Sequence, residues 1–377
     1  MEKSSDGRFF VHGFPETEGP DLHLLRPTLL HAIPRIRESI VDHAIRGGPK
    51  RHEHGIYTSN LGIAFALFLR SDPAWKDIMR ATSYEGSDRG CTLLDSAILG
   101  PVLEGDRNAL LEYVERAHRL PSTECELLYG RAGCLSAILL AREIHPEVIL
   151  DQQVRCLVEQ IIRGGANPGA EMLMWRWHEK EYLGAVHGLA GILFVLLKCP
   201  PDILDTVDPH LKPRIEACVQ NVLSNYILPS GNIQSSTGNR SDHLVHFCHG
   251  ATGWIPLLCL MKERFAQARY GAHACELGEV VWRRGLLASK GPGICHGISG
   301  SICALVDLYR LTRDIKWMQR AEWFVLFLAR EWQQLAPKAD RPYSLFEGIT
   351  GAFYVMSLVL SERDRSEGIF TTSFPGL

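Results

Sequence analysis

The sequence predicts an all-α fold assembled from tandem helix pairs, and three observations carry that expectation. A glycine pattern recurs seven times along the chain, an almost uniformly apolar run follows each copy, and strand signals are nearly confined to one short stretch. Self-similarity at a period of tens of residues means stacked supersecondary units, so it decides the architecture before any local assignment.

The copies are Asn60-Leu61-Gly62, Gly130-Arg131-Ala132-Gly133, Gly188-Leu189-Ala190-Gly191, Gly250-Ala251-Thr252-Gly253, Gly297-Ile298-Ser299-Gly300 and Gly348-Ile349-Thr350-Gly351, with a degenerate one at Ser96-Ala97-Ile98-Leu99-Gly100. Their final glycines fall at 62, 100, 133, 191, 253, 300 and 351, spaced by 33 to 62 residues. Runs such as Ile192 to Leu197 are too apolar for a surface helix, whereas Ile215 to Leu223 is amphipathic, so each unit holds one buried and one half-exposed helix. Period-two alternation is confined to fragments near Asn232 to Ser236. Helix pairs of this kind stack into an open solenoid or close into a toroid, and the pattern favours neither strongly. A glycine just before a buried helix permits positive φ and lets neighbouring backbones approach. In a closed ring the helix starts would converge, and their free N–H groups would suit anions, thiolates or a metal.

Composition narrows the function. The 377 residues are 46% hydrophobic and 22% charged, with a mean hydropathy of −0.04, which describes a globular chain with a large core. With 40 basic against 43 acidic residues the net charge is −3, so there is no basic excess to hold a nucleic acid. The start Met1 to Arg8 has no apolar stretch, and the longest nearly uncharged run, Leu183 to Leu197, is broken by His187, so neither a signal peptide nor a membrane span is read. Eleven scattered cysteines fit a reducing compartment, and a soluble cytoplasmic protein is expected. The whole chain is read as one toroid domain, residues 1–377, with 1–20 a variable amino-terminal tail.

Aligned on the first glycine, the preceding residues are Tyr129, His187, His249, His296 and Glu347, and one place further back stand Leu128, Val186, Cys248, Cys295 and Phe346. Two copies therefore read Cys-His-Gly. A lone buried Cys-His pair is usually core, but duplication at matched repeat positions reverses that balance. If the helix starts converge, Cys248, Cys295 and one or two of the histidines meet, and two thiolates with an imidazole are a familiar zinc set with an open fourth position. Cys134, Cys259 and Cys303 lie in apolar runs without a histidine neighbour and are assigned to the core.

Over nearly its whole length the chain resembles the lanthionine synthetase C-like proteins of eukaryotic type. The resemblance rests on Leu128 to Gly133, Tyr182 to Gly191, Phe247-Cys248-His249-Gly250, Lys290 to Gly297 and Ser344 to Gly348. It implies a closed (α/α) double ring of seven inner and seven outer helices around one zinc ion, with Cys248, Cys295 and His296 as ligands and His249 as a neighbour. It implies that His187 is the catalytic acid–base. Bacterial members add cysteine thiols to dehydroalanine or dehydrobutyrine, whereas eukaryotic members bind glutathione and resemble enzymes that add it to such residues in proteins or peptides. Lys290 and Arg8 match basic positions associated with glutathione. Some eukaryotic members associate peripherally with membranes, which leaves that partner class open.

Two departures stand out. The second copy lacks its first glycine, and the acidic residue that assists the histidine in bacterial cyclases is matched only by a neighbourhood in which Glu126, Tyr129 and Arg131 are the candidate partners. The leading expectation is zinc-dependent thioether formation with glutathione as co-substrate. The alternatives are a non-catalytic glutathione-binding adaptor or scaffold and, ranked last, a toroidal glycosidase, for which no repeat-matched carboxylate pair is present.

Overall fold

The computed structural model describes residues 1–47, 55–82, 93–95, 97–148, 150–166, 172–362 and 371–377; Cys91 and Ser96 lie outside the described residues. Among the described residues there are isolated β-bridges but no strands. Among the described residues seven helices form an inner layer: Asn60–Leu69, Leu99–Glu104, Arg131–Ile144, Leu189–Lys198, Ala251–Phe265, Ile298–Thr312 and Ile349–Glu362. Seven more form an outer layer: Leu22–Arg46, Trp75–Ala81, Arg107–His118, Asp151–Gly165, Leu211–Asn225, Ala268–Arg284 and Ile315–Leu335. Composition sorts the layers. Leu189–Lys198 buries every residue from Leu189 to Leu197, while Asp151–Gly165 buries the stripe Val154, Leu157, Val158, Ile161 and Ile162 and keeps its charges outside. Ile349–Glu362 packs against Asn60–Leu69, so the last unit meets the first and the stack is a toroid.

The repeated glycines act mainly through close approach. A Cβ on Gly62, Gly133, Gly191, Gly253, Gly300 or Gly351 would fall under 3.0 Å from the carbonyl oxygen six residues earlier: Ile56, Leu127, Ala185, Phe247, Ile294 and Leu345 respectively. Each loop thus folds down onto the first turn of its own inner helix, where no side chain fits. Positive φ is the exception. Gly130, Gly188 and Gly297 cap their helices at φ −108°, −139° and −115°, and only Gly250, at +105°, needs the left-handed side of the map. Gly100 has no such carbonyl against it, as its incomplete motif suggests.

Folded in this way, the loops pair with one another around the mouth of the toroid. The N–H of Leu93 donates to the carbonyl of Leu128 (2.8 Å), Leu127 to Val186 (3.1 Å), Cys248 to Cys295 (3.2 Å), Cys295 to Phe346 (2.7 Å) and Phe346 to Tyr57 (3.4 Å). The last of these joins the seventh unit to the first. Residues near the amino terminus dock on the same face. Phe10 N–H donates to Leu286 O, Ala288 N–H to Arg8 O, and Glu16 bonds to Arg320 and Trp282.

At the other end the inner helices present their carbonyl termini, and basic side chains gather there. Arg310 holds Glu362 through two bonds of 2.6 and 2.7 Å, with both side chains under 10% exposed. Residues 371–377 enter the barrel from this end. Tyr354 and Cys303 donate to the carbonyl of Ser373, Ser136 donates to that of Gly376, and Phe374 stacks on Phe247 at 4.4 Å. Asp307, wholly buried, accepts from Thr372 Oγ1 (2.7 Å) and Ser373 N–H (2.6 Å). Burial outweighs those donors and Arg310 and pushes its carboxyl up to about 6.

Gly253→Ala should cost about 2–3 kcal/mol, because the new methyl strikes a backbone carbonyl that cannot swing aside; denaturant unfolding reads the loss, and wild-type stability would refute the close-approach argument. Between about pH 4 and 6 the folded chain retains a proton on Asp307 that the unfolded chain has released, so this contribution to stability falls as pH rises through that window and is flat above it. Asp307→Asn has no proton to lose. The stability difference between the variant and wild type should move in favour of the variant from pH 4 to 6 and then stop moving; unfolding curves across pH check this.

Candidate active site and metal centre

Cys248 and Cys295 sit in the loops that precede Ala251–Phe265 and Ile298–Thr312, and the backbone bond between them sets the two loops side by side. The ligand atoms of Cys248, Cys295 and His296 all lie within 4.8 Å of one another, and the two cysteines are 8% and 4% exposed. Burial and the neighbouring Cys248 push the Cys295 thiol well above its ordinary value, while burial works against a charge on His296 and the Cys295 hydrogen bond overcomes it. His296 Nε2 is buried without a hydrogen-bond partner among the described residues. A buried imidazole beside two sulfurs is a donor set that fits a soft or borderline cation, so this group could bind a metal.

His249 stands apart from that trio. Its ring lies 5.6 Å from Tyr182 and 6.5 Å from His187, and its pKa is lowered to about 4 by burial and then by the charges of His187, His246 and His296. His246 is a residue that the aligned column did not flag, because it falls two places before the Cys-His pair. Its ring is 6.0 Å from His296, and its pKa is lowered to about 3 by burial, then by His296, Arg8 and Lys290. Arg8 and Lys290 therefore reach the same mouth, although 282 positions separate them in sequence. Lys290 lies 3.5 Å from Asp340, about half exposed. Glu347 keeps a buried oxygen without a hydrogen-bond partner among the described residues, and burial raises its pKa.

His187 is held by Glu126. The imidazole Nδ1 is 2.7 Å from Glu126 Oε2, and the same carboxylate, 2% exposed, accepts the N–H groups of Leu128 (3.0 Å) and Tyr129. Because this carboxylate already serves as acceptor to two backbone N–H groups, Nδ1 is read as the donor to it, which leaves Nε2 as the nitrogen that can exchange a proton. Of the three candidate partners, then, Glu126 is hydrogen-bonded to His187. Arg131 instead ties down its own loop, bonding to the carbonyl of Pro121 (2.7 Å) and to Gln160 (2.8 Å). Tyr129 lies over Trp177, whose indole is stacked on His187 at 4.0 Å. Cys134, Cys259 and Cys303 are fully buried in inner helices.

A closed ring of paired helices with two buried thiols, an imidazole and a carboxylate-held histidine at one mouth defines a helical toroid with a soft-donor site. The sequence model of the family described as lanthionine synthetase C-like protein matches residues 103–371, and the chain belongs to that family. It is similar to glutathione S-transferase LANCL1 of Danio rerio, 34% identical over 258 residues, which span 66% of this chain and 61% of that relative, less than two thirds of its length. It is similar to LanC-like protein GCL1 of Arabidopsis thaliana, 30% identical over 394 residues, covering 90% of this chain and 88% of that one. Among solved structures, nisin cyclase shares its fold with a TM-score of 0.59 at 18% identity, over 89% of this chain and 99% of that chain. Among the described residues no helix is long and apolar enough to cross a membrane.

Cys248→Ala and Cys295→Ala should each reduce retained divalent metal from about one ion per chain to near none, while His249→Ala keeps it. Elemental analysis of the purified chains reads this, and full retention in both cysteine variants would exclude the trio.

Proposed function

We propose that this chain is a zinc-dependent enzyme that adds the thiol of glutathione to dehydroalanine or dehydrobutyrine residues of proteins or peptides, forming a thioether. The observation that carries the reading is the arrival at one mouth of a soft-donor trio, Cys248, Cys295 and His296, and a carboxylate-held imidazole, His187. The name of the zebrafish relative, a glutathione S-transferase, supports the choice of thiol.

Zinc held by the trio would supply a soft electrophilic centre with an open position, at which an incoming thiol has a lowered pKa. The remaining chemistry falls to the chain. A carbon–sulfur bond forms at the β-carbon while the π electrons move toward the carbonyl, and the α-carbon must then take a proton. His187 is the group to move it. Nε2 receives the thiol's proton and returns it to the α-carbon, while Glu126 holds Nδ1–H and stabilises the imidazolium between the two transfers. Lys290 and Arg8 would bind the carboxylates of glutathione, the first as a point charge and the second as a fork.

His187→Ala should lower kcat by about 10²–10⁴-fold with glutathione still bound, and Lys290→Ala should raise KM for glutathione. Mass spectrometry of a dehydroalanine peptide incubated with glutathione reads the adduct, and calorimetry reads binding. Full adduct formation by metal-free Cys295→Ala would overturn the reaction, and bound glutathione with no adduct in wild type would favour the adaptor.

A further inference from the structure

We propose that Trp177 is a positioning residue for His187: its indole face fixes the plane of an imidazole that the hydrogen bond to Glu126 would leave free to swing. This rests on the acid–base role given to His187 above. One hydrogen bond at Nδ1 locates one atom of the ring and its direction, but the ring can still turn about the line of that bond. The Trp177 and His187 rings lie 4.0 Å apart with an angle of 1° between their planes. A flat surface at van der Waals distance removes that freedom, and the two contacts together set where Nε2 points. The same face suits the charged ring, since a cation over indole is attracted by the π system.

The chain goes to some length to hold this indole. Trp177 and Lys180 exchange two backbone bonds, Trp177 N–H to Lys180 O at 2.9 Å and the return at 3.1 Å, which closes a two-residue turn through His178 and Glu179. Both turn residues have positive φ, 46° and 63°, a conformation that Asn and Gly usually supply in such hairpins. Non-glycine residues stay there only where their surroundings demand it. The legs of the hairpin are clamped by Arg176 on Glu181 (2.9 and 3.1 Å), and Glu181 in turn accepts from the hydroxyl and the N–H of Thr237. Trp175 anchors the base through Nε1–H to Ile161 O at 2.8 Å. The ring of His178 meets the indole edge-on at 4.2 Å, and Tyr129 lies parallel to it at 6.4 Å. A tryptophan that merely filled space would not need its plane defined from so many sides.

The test combines a spectroscopic and a kinetic measurement on the full-length chain. With ¹³C-labelled histidine and the His187 signals assigned by their loss in His187→Gln, the ring protons of His187 should resonate upfield of an unstacked imidazole, without any substrate present. That displacement should vanish in Trp177→Leu, which fills the volume without a π face, and persist in reduced form in Trp177→Phe. On glutathione and a dehydroalanine peptide, Trp177→Ala and Trp177→Leu should lose about 10- to 100-fold in kcat with KM for glutathione unchanged, and Trp177→Phe should recover most of it. Should Trp177→Ala not fold, the Leu and Phe pair carries the comparison. An unshifted His187 resonance, wild-type kcat in Trp177→Leu, or a loss confined to KM overturns the proposal. A wild-type chain that never forms the adduct overturns the acid–base reading along with it, an outcome distinct from one in which wild type and Trp177→Leu turn over alike.

Discussion

The contact on which the rest of the molecule depends is the one between the second glycine of each repeat and a carbonyl six residues before it. Six of the seven units make it, from Gly62 with Ile56 to Gly351 with Leu345. It forces the loop down onto the helix start. Once there, the loop's backbone is presented sideways to the next unit, which is why Cys248 bonds to Cys295, Cys295 to Phe346 and Phe346 to Tyr57. The metal-ligating candidates are not ornaments added to a finished scaffold, since the residues that carry their side chains also supply the backbone groups that join one unit to the next. A methyl group at Gly253 would press on Phe247, the residue next to Cys248, so stability and site geometry are coupled through the same few atoms.

This constraint explains what the sequence made legible. Repetition exposes the glycines, and aligning the copies places Cys248 beside Cys295 and His249 beside His296 without any three-dimensional knowledge. What stayed hidden is whatever lacks a repeat. Glu126, 61 positions from His187 and outside the aligned column, could be named only as one of three candidate partners, and the contact is seen only in three dimensions. Trp177 belongs to a hairpin between two units, His246 sits two places upstream of its motif, and residues 371–377 fill the barrel through contacts to Ser136, Cys303 and Phe247 that no local pattern announces. The reading of the glycines themselves was half right: close approach accounts for nearly all of them, and positive φ for Gly250. An alignment column can say that a position is special, but only packing says which of two physical reasons applies.

The two ends of the toroid differ because helices have direction. At the end carrying the helix N-termini, thiols and imidazoles stand together with Arg8 and Lys290, and burial and neighbouring positive charges lower the pKa values of His246 and His249. At the end carrying the C-termini stand Arg70, Lys198 and Arg310 around a cavity of about 670 Å³, lined in part by the segment from Thr371 to Leu377. The partial negative charge of the helix C-termini favours the cations at that end.

Closure of the ring is what brings these groups to bear on one molecule. His187 comes from the fourth unit, Cys248 from the fifth, and Cys295 and His296 from the sixth. In a straight solenoid, packed helices about 8–10 Å apart would place the fourth and sixth units about 16–20 Å from each other, too far for an imidazole on one to serve a thiol held by the other. Curved into a ring, the loops at the starts of the inner helices bond to one another around one mouth. His249 registers the result, since its pKa responds at once to His187 on one side and to His296 on the other. The bond from Phe346 N–H to Tyr57 O lies in the closing seam of that ring. By joining the seventh unit to the first it fixes the curvature that the fourth, fifth and sixth units need in order to meet.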